Sequence, residues 1–245
     1  MVYQPRTYRN WVKNKDLITF NAVVEETDCS ISAATNLESK ALRLIRKYRA
    51  MLKKYISTHP LFLTTLEPIR LESDAPIIVK MMAEAGAKAS VGPMASVAGA
   101  IAYFIGEELA KYSPEIIIEN GGDIYLRSLK DRIIGIYAGK SPLSGKIGLE
   151  ISGKETPLGI STSSGTVGHS LSFGKADAVV VLANDAVLSD AVATGIGNLV
   201  LTASDIPGNI EHARRIPGVR GIVIIKDAEM GVWGEVKLCR TEVQS

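Results

Sequence analysis

Two oxygen-bearing side chains, Asp190 and Thr194, lie four residues apart in the segment 186–197, AVLSDAVATGIG. The small apolar residues around them predict a helix that packs closely beneath a site, and residues four apart on a helix share one face. Carboxylate and hydroxyl oxygens suit Mg²⁺, which takes one or two carboxylates and completes its shell with phosphate and water oxygens. The spacing indicates a magnesium site, although the same pair is also common in helices that bind nothing.

Two other segments have the composition of ligand-binding turns. Residues 119–124 read ENGGDI, and the two glycines allow positive φ and close backbone approach, as either a tight hairpin or a ligand contact requires. Residues 159–169 read GISTSSGTVGH, a strand leading into a loop whose amides and hydroxyls suit phosphate or ribose oxygens. A plain flexible loop is the alternative. His169, one of three histidines, is either catalytic or structural.

A third segment follows Gly92-Pro93, where a helix rich in small residues is predicted over residues 94–112. Its surface allows either another backbone or a ligand to approach closely. The amino terminus of such a helix also favours an anionic group. Close packing and ligand binding both remain open for this helix.

Composition limits the classes of function. The 245 residues are 46% hydrophobic with 22 glycines, which is typical of an α/β or α+β protein. A net charge of +2 indicates no nucleic-acid partner. The two cysteines form no C-x-x-C pair, which argues against a zinc site or a disulfide scaffold. With neither a signal-like run nor an apolar stretch of about 18 residues, no membrane span is expected and the predicted location is cytoplasmic.

The pattern of apolar and polar residues predicts the strands and helices that position these side chains. We expect residues 2–10 and 17–25 to form a hairpin, and Thr35 and Glu38 to form a capping box that opens a long helix. Short strand-like segments between Pro114 and the loop at 159–169 predict one antiparallel meander. Residues 176–184, ADAVVVLAN, predict a buried strand that leads into the Asp190 helix. Residues 1–245 are interpreted as one domain, with the motifs at about 90–200.

Together these segments resemble the ApbE superfamily of FAD-dependent protein FMN transferases, and within it a branch of short ApbE-like proteins of archaea and bacteria. NGGDI at 120–124 is similar to the family's N-x-G-G-D-I element, and GISTSSG at 159–165 to its I-S-T-S-G loop, which a histidine follows as His169 does here. LSDAVATGI at 188–196 is similar to the metal-binding A-D-A-L-A-T-A helix. SVAGAIA at 96–102 is similar to the A-I-A-K-G-Y-A helix that contacts the flavin nucleotide.

The resemblance implies an α+β fold of T-fold type, with helices packed on an antiparallel sheet. Both halves of the chain read as strands followed by a helix, which leaves an internal structural duplication open. It implies Mg²⁺ on Asp190 and Thr194, helped by a backbone carbonyl of residues 96–98, with Asp190 and His169 as catalytic residues. FMN would pass from FAD to a threonine of a protein acceptor, or to water, and AMP would leave. A homodimer is also expected. The residues that would line the nucleotide are Ser96, Ala98, Asn120, Gly121, Gly122, Asp123, Ser161, Thr162, Ser163, Gly165 and Thr166.

Two departures from the family pattern keep other functions open. Gly99 stands where the transferases carry lysine, and HSLSFGKAD at 169–177 replaces their H-x-x-D-P-x-T-G loop. A first alternative is a cytoplasmic enzyme or accessory factor, in sulfur assimilation by the resemblance, that uses the same cleft for another anionic metabolite. A second is a non-enzymatic binding protein whose site has decayed.

Overall fold

The computed structural model describes residues 16–165 and 173–241. Its strands are β1 (Ile18–Val24), β2 (Thr27–Ala33), β3 (Ile116–Asn120), β4 (Asp123–Arg127), β5 (Arg132–Gly135), β6 (Ile147–Ile151), β7 (Leu158–Ser163), β8 (Ala178–Ala183), β9 (Val219–Lys226), β10 (Glu229–Gly234) and β11 (Leu238–Arg240). Its helices are α1 (Glu38–Thr58), α2 (Leu61–Thr64), α3 (Ile77–Ala89), α4 (Val97–Leu109), α5 (Ala186–Leu199) and α6 (Ile206–Arg214).

Eight of these strands form one antiparallel sheet in the order β1-β2-β3-β4-β7-β8-β9-β10. Strand pairs β1–β2 and β3–β4 are separated in the chain by helices α1 to α4, and pairs β7–β8 and β9–β10 by α5 and α6. The same succession of strand pair, helices and strand pair therefore occurs twice, as an internal duplication requires. Assignment to the T-fold type stays a prediction.

The large sheet is the middle one of three layers and is covered on both faces. One face packs against the helices through a core that includes Ile31, Ile118, Val181 and Ile224. The other face packs against a small sheet of order β11-β6-β5, through a core that includes Leu126 and Val180. All six residues of β8 are consequently buried, which explains its continuous apolar run. The predicted α+β class, with an antiparallel sheet and packed helices, is confirmed.

The predicted single meander is wrong, because the chain leaves the large sheet between β4 and β7. These two strands pair directly with each other, while β5 and β6 pair in the small sheet. The burial patterns give the reason. β4 is buried at four of its five positions and lies within a covered sheet, whereas β5 alternates between buried and half-buried residues and packs one face inward.

Two local predictions near the amino terminus also need correction. The antiparallel partner of β1 is β2, and the partner predicted at 2–10 lies outside the described residues. Helix α1 begins after Leu37 without a side-chain cap at that position, so the predicted capping box is wrong. The side-chain oxygen Oδ1 of Asn36 instead accepts a hydrogen bond from the N–H of Glu38 over 2.9 Å, because a short amide side chain can satisfy a nearby backbone donor.

Among the described helices, none is by itself long and apolar enough to cross a membrane. Helix α3 reaches that length and apolarity only together with residues Pro93–Leu109, from which it is bent by 104°.

Candidate metal and nucleotide site

The β3–β4 turn brings two polar side chains to one face of the sheet. Gly121 and Gly122 have φ values of +72° and +106°, as a two-residue hairpin turn requires. Asn120 and Asp123 are direct cross-strand partners on either side of it. Since side chains alternate along a strand, both lie on the face that carries Ile118, toward the helices. The turn is therefore an ordinary tight hairpin that also positions site residues.

The first turn of α4 binds an anionic group of the same chain, the carboxylate of Asp190. The N–H of Gly99 donates to Asp190 Oδ2 over 2.8 Å. Asn120 Nδ2 donates to the carbonyl of Ala98 over 3.0 Å and ties the same turn to β3. The open amides of a helix amino terminus stabilise a nearby carboxylate. Asp190 is thereby held at the junction of α4, α5 and the sheet.

Helices α4 and α5 touch backbone to backbone at Gly99. A Cβ on Gly99 would lie 2.0 Å from the carbonyl oxygen of Ala186 and 2.7 Å from Asp190 Cβ. The small residues of α4 therefore allow another helix to approach at this point. The same contact leaves no room for the lysine that the flavin transferases carry at the position resembling Gly99.

Asp123 and Asp190 are two buried carboxyls close enough to influence each other's pKa. Burial raises the pKa of Asp123 well above its ordinary value, and the negative charge of Asp190 raises it further. Burial also raises the pKa of Asp190, but the N–H groups of Gly99 and Ala98 and the Asp123 carboxyl act in the opposite direction. Burial thus favours the neutral form of both carboxyls, and the hydrogen bonds from the α4 backbone counteract it at Asp190.

Thr194, one turn along α5 from Asp190, contacts the chain before α4. Its Oγ1 lies 3.4 Å from the carbonyl oxygen of Ala95, long for an O–H···O hydrogen bond. The backbone carbonyl beside Thr194 is that of Ala95, one residue before the predicted range of 96–98. A carboxylate, a hydroxyl and a backbone carbonyl therefore lie where α5 packs against α4 and the turn before it.

This donor set fits Mg²⁺. All its atoms are oxygens, which a hard divalent cation prefers, and Asp190 is only 9% exposed. No ion pair joins Asp123 or Asp190 to a basic side chain within residues 16–165 and 173–241. In the same part of the chain no three His, Cys, Asp or Glu side chains form a metal-binding group. A cation here would depend on hydroxyl, carbonyl and substrate oxygens besides Asp190.

The hydroxyl-rich segment lies mostly within a strand. Ser161, Thr162 and Ser163 are the last residues of β7, and Ser161 is fully buried. The N–H of Thr162 donates to Gly122 O over 3.1 Å, and that of Gly165 to Ala176 O over 2.9 Å. These two amides are engaged within the chain and are not available to a ligand. Thr166 and His169 lie outside the described residues.

Ser96 and three residues that we did not predict complete the surroundings of the site. Ser96 is buried and donates to Pro93 O over 2.9 Å, which stabilises the turn before α4. Glu119 Oε1 accepts the N–H of Gly122 over 2.8 Å and braces the hairpin. Ser189 bonds Ser161 over 2.7 Å, and Ala95 supplies the carbonyl. Ser189 and Glu119 both lie inside the recognised motifs, but nothing in their local sequence identifies their partners.

Comparison with known proteins identifies a family and several similar proteins. A family model described as "AbpE bacteria" matches residues 9–216. A UPF0280 protein of Methanococcus aeolicus is 46% identical over 201 residues, which is 80% of this chain and 81% of that protein. A UPF0280 protein of Methanocaldococcus jannaschii is 44% identical over 209 residues, 83% of this chain and 85% of that one.

Among solved structures, the flavin transferase ApbE from Vibrio cholerae is similar with a TM-score of 0.58. The similarity covers 89% of this chain and 96% of that chain at 11% sequence identity. At this identity the likeness establishes the fold, and the chemistry has to be argued from the site.

Proposed function

This chain belongs to the family described as AbpE bacteria, and we propose that it binds FAD together with Mg²⁺ and cleaves the FAD pyrophosphate. FMN passes to the hydroxyl of a protein acceptor or to water, and AMP is released. The fold shared with a flavin transferase supports the flavin part of this proposal. The cytoplasmic location and the homodimer stay predictions.

The observation that carries the proposal is that Asp190 and Thr194, one turn apart on α5, contact the N–H of Gly99 in the first turn of α4 and the carbonyl of Ala95 just before it. A buried carboxylate, a hydroxyl and a carbonyl would hold the cation from one side and leave its other positions to phosphate oxygens. When bound, Mg²⁺ neutralises phosphate charge and polarises the phosphoryl group. The contact at Gly99 leaves no space for a lysine there, so the cation has to supply that positive charge.

The remaining residues bind and orient. The carbonyl of Ala98 is fixed by Asn120, and the β3–β4 turn is fixed by Glu119, so this rim of the cleft is rigid before the nucleotide arrives. In the proposed step the acceptor oxygen forms a bond to the FMN phosphorus, and the bond from that phosphorus to the bridging oxygen of AMP breaks. The acceptor hydroxyl loses its proton to a base, for which His169 is the candidate from the sequence.

Calorimetric titration of FAD with and without Mg²⁺ tests the proposal, followed by chromatographic detection of AMP. We expect Mg²⁺-dependent binding by the unaltered protein and none by Asp190→Asn. The matched control is Asp185→Asn on the same helix. Asp185 caps α5 through the N–H of Leu188, and asparagine caps a helix about as well. Equal FAD affinity in Asp190→Asn and the unaltered protein, or binding independent of Mg²⁺, would contradict the proposal.

The Gly99 contact also favours a second candidate. Because no lysine fits at this position, the site suits an anionic metabolite with less charge than a pyrophosphate, held by the same cation. A melting screen with Mg²⁺ and small phosphate, carboxylate and sulfur oxyanions tests this, since a ligand raises the melting temperature by mass action. Stabilisation by FAD alone would exclude this second candidate.

A further inference from the structure

Helix α5 carries a third polar side chain in line with Asp190 and Thr194. Of the 14 residues of this helix, Thr194, Asn198 and Leu199 are the ones that are not buried. Asn198 follows Thr194 by four residues, as Thr194 follows Asp190, and side chains at this spacing are neighbours on one face of a helix. The three side chains therefore form a polar ridge, Asp190-Thr194-Asn198, that runs from the proposed cation site toward the carboxyl end of α5.

A backbone contact fixes the orientation of the Asn198 amide. Asn198 Oδ1 accepts the N–H of Phe173 over 2.9 Å. Because a backbone N–H bonds only to an acceptor, this contact settles which atom of the amide is the oxygen. The Nδ2 group, with two protons, is then the part of the side chain that can donate to a ligand.

Residues 173–175 are held against the end of α5 by contacts that do not involve the Asn198 side chain. The N–H of Lys175 donates to Val200 O over 2.8 Å. A Cβ on Gly174 would overlap the carbonyl oxygen of Gly197, so the two backbones touch at this point. Loss of the Asn198 side chain would therefore leave these residues in place, and holding them does not explain an amide at position 198.

The carboxyl end of α5 determines which ligand group suits Asn198. Such a helix end carries partial negative charge and leaves carbonyl oxygens without partners in the helix. It therefore disfavours a second phosphate, whereas a hydroxyl accepts from the Nδ2 group and donates to a carbonyl oxygen. Ser163 adds a hydroxyl nearby, since a Cβ on Gly197 would lie 3.2 Å from Ser163 Oγ. This combination of donors and acceptors suits the hydroxyls of a sugar.

We propose that Asn198 is a specificity-determining residue that binds a sugar hydroxyl of the ligand, beside the phosphate oxygens held by the cation at Asp190 and Thr194. This inference rests on the proposed function, because it extends the nucleotide along the polar ridge. The helical rise puts Asn198 about 6 Å beyond Thr194, a distance that a phosphate and its attached sugar can span. In FAD the hydroxyl belongs to the ribose of the AMP half or to the ribityl chain of the FMN half.

Calorimetric titrations of the full chain with Mg²⁺ compare FAD with inorganic pyrophosphate, which has the phosphates and no sugar. Asn198→Ala is expected to bind FAD about 2- to 10-fold more weakly than the unaltered protein, as the loss of one uncharged hydrogen bond implies. It is expected to bind pyrophosphate equally well, because the groups that hold the cation are unchanged. Titrations of ADP and FMN then identify the hydroxyl: a loss with ADP assigns it to the ribose, and a loss with FMN to the ribityl chain.

Asn36→Ala is the matched control. Asn36 also accepts a backbone N–H through its Oδ1, that of Glu38 over 2.9 Å, and it lies before α1, outside the polar ridge. We expect this variant to bind both FAD and pyrophosphate as the unaltered protein does. Thermal unfolding of each variant accompanies the titrations. A role of Asn198 in structure alone would lower the melting temperature and leave the ratio of the FAD and pyrophosphate affinities unchanged.

The outcomes separate this inference from the proposed function. If the unaltered protein binds FAD with Mg²⁺, unchanged FAD affinity in Asn198→Ala would overturn the inference alone. An equal loss of FAD and pyrophosphate affinity would also overturn it, since the substitution would then have disturbed the cation site. Absence of Mg²⁺-dependent FAD binding by the unaltered protein would overturn the proposed function, and the inference with it.

Discussion

The backbone N–H of Gly99 donates to the carboxylate of Asp190 over 2.8 Å, and the same glycine has no space for a side chain. One residue thus sets both the charge environment of the site and the closeness of α4 to α5. A larger residue at this position would move the two helices apart and remove the hydrogen bond at the same time. The packing of α4 on α5 and the hydrogen bonding of the Asp190 carboxylate are consequently linked.

Gly99→Ala is expected to destabilise the protein. The new Cβ would lie 2.0 Å from a backbone oxygen, and overpacking of this kind costs about 1–3 kcal/mol. Urea unfolding measures the change. Gly208→Ala is the control, because Gly208 is also helical and a Cβ there meets nothing within 4 Å. That variant is expected to be unchanged or stabilised by about 0.5–1 kcal/mol. Equal effects of the two substitutions would contradict the close contact.

Thr194→Val is expected to weaken divalent-cation binding without unfolding the protein. Valine keeps the branched shape of threonine and removes the hydroxyl that faces the carbonyl of Ala95 over 3.4 Å. Thr194→Ser keeps that hydroxyl and is expected to keep most of the affinity. Mg²⁺ titration by calorimetry compares the two. If both variants bound Mg²⁺ as the unaltered protein does, Thr194 would be a packing residue, and the proposed metal site would need another ligand.

Local patterns predicted the parts of the site that are continuous in the chain. The helix predicted at 186–197 is Ala186–Leu199, and the buried strand that precedes it is Ala178–Ala183. The glycine pair of the β3–β4 turn was also recognisable, since its tight geometry depends on two adjacent residues. In each case the element depends on residues that are neighbours in the chain, so its position could be predicted from the local sequence.

Contacts between segments distant in the chain could not be predicted from local sequence patterns. Asp123 meets Asp190 only because β4 lies beside β7, which depends on β5 and β6 leaving the large sheet. Ser189 gives no local sign of its bond to Ser161. The glycine at position 99 predicts close approach by something, but the sequence does not identify that neighbour as Ala186. These features depend on the order of the strands, which the chain sets through packing across all three layers.

Asp185→Ala is expected to lower the free energy of unfolding by about 1 kcal/mol. Asp185 Oδ1 accepts the N–H of Leu188 over 2.8 Å at the amino terminus of α5, and loss of such a cap typically costs 0.5–2 kcal/mol. Asp185→Ser keeps an oxygen acceptor and should remain near the unaltered stability. Chemical unfolding compares them. A loss equal in both variants would indicate that the charge of Asp185, and not its cap, stabilises the helix.

The cluster of buried Arg132 and Glu115 with the exposed Asp16 predicts acid sensitivity. Arg132 bonds Asp16 over 2.6 Å and Glu115 over 2.7 Å. Hydrogen bonds from Arg132 and Lys130 lower the pKa of Asp16. Burial raises the pKa of Glu115, but hydrogen bonds from Ser128 and Arg132 outweigh it, and the pKa is lowered. Carboxyls with a lowered folded pKa contribute stability above their ordinary pKa and lose it as the pH falls.

We therefore expect the free energy of unfolding to decrease as the pH falls below 4.5, the ordinary pKa of a glutamate. Arg132→Met should reverse this dependence. Glu115 would stay buried without a cation, its pKa would rise, and stability would decrease as the pH increases through that raised value. At pH 7 the expected loss is about 3–5 kcal/mol. Urea unfolding from pH 3 to 8 measures both effects, with Lys130→Met as the exposed control, for which a change of less than about 1 kcal/mol is expected. Parallel pH profiles for Arg132→Met and the unaltered protein would show that Arg132 does not set the ionisation of Glu115.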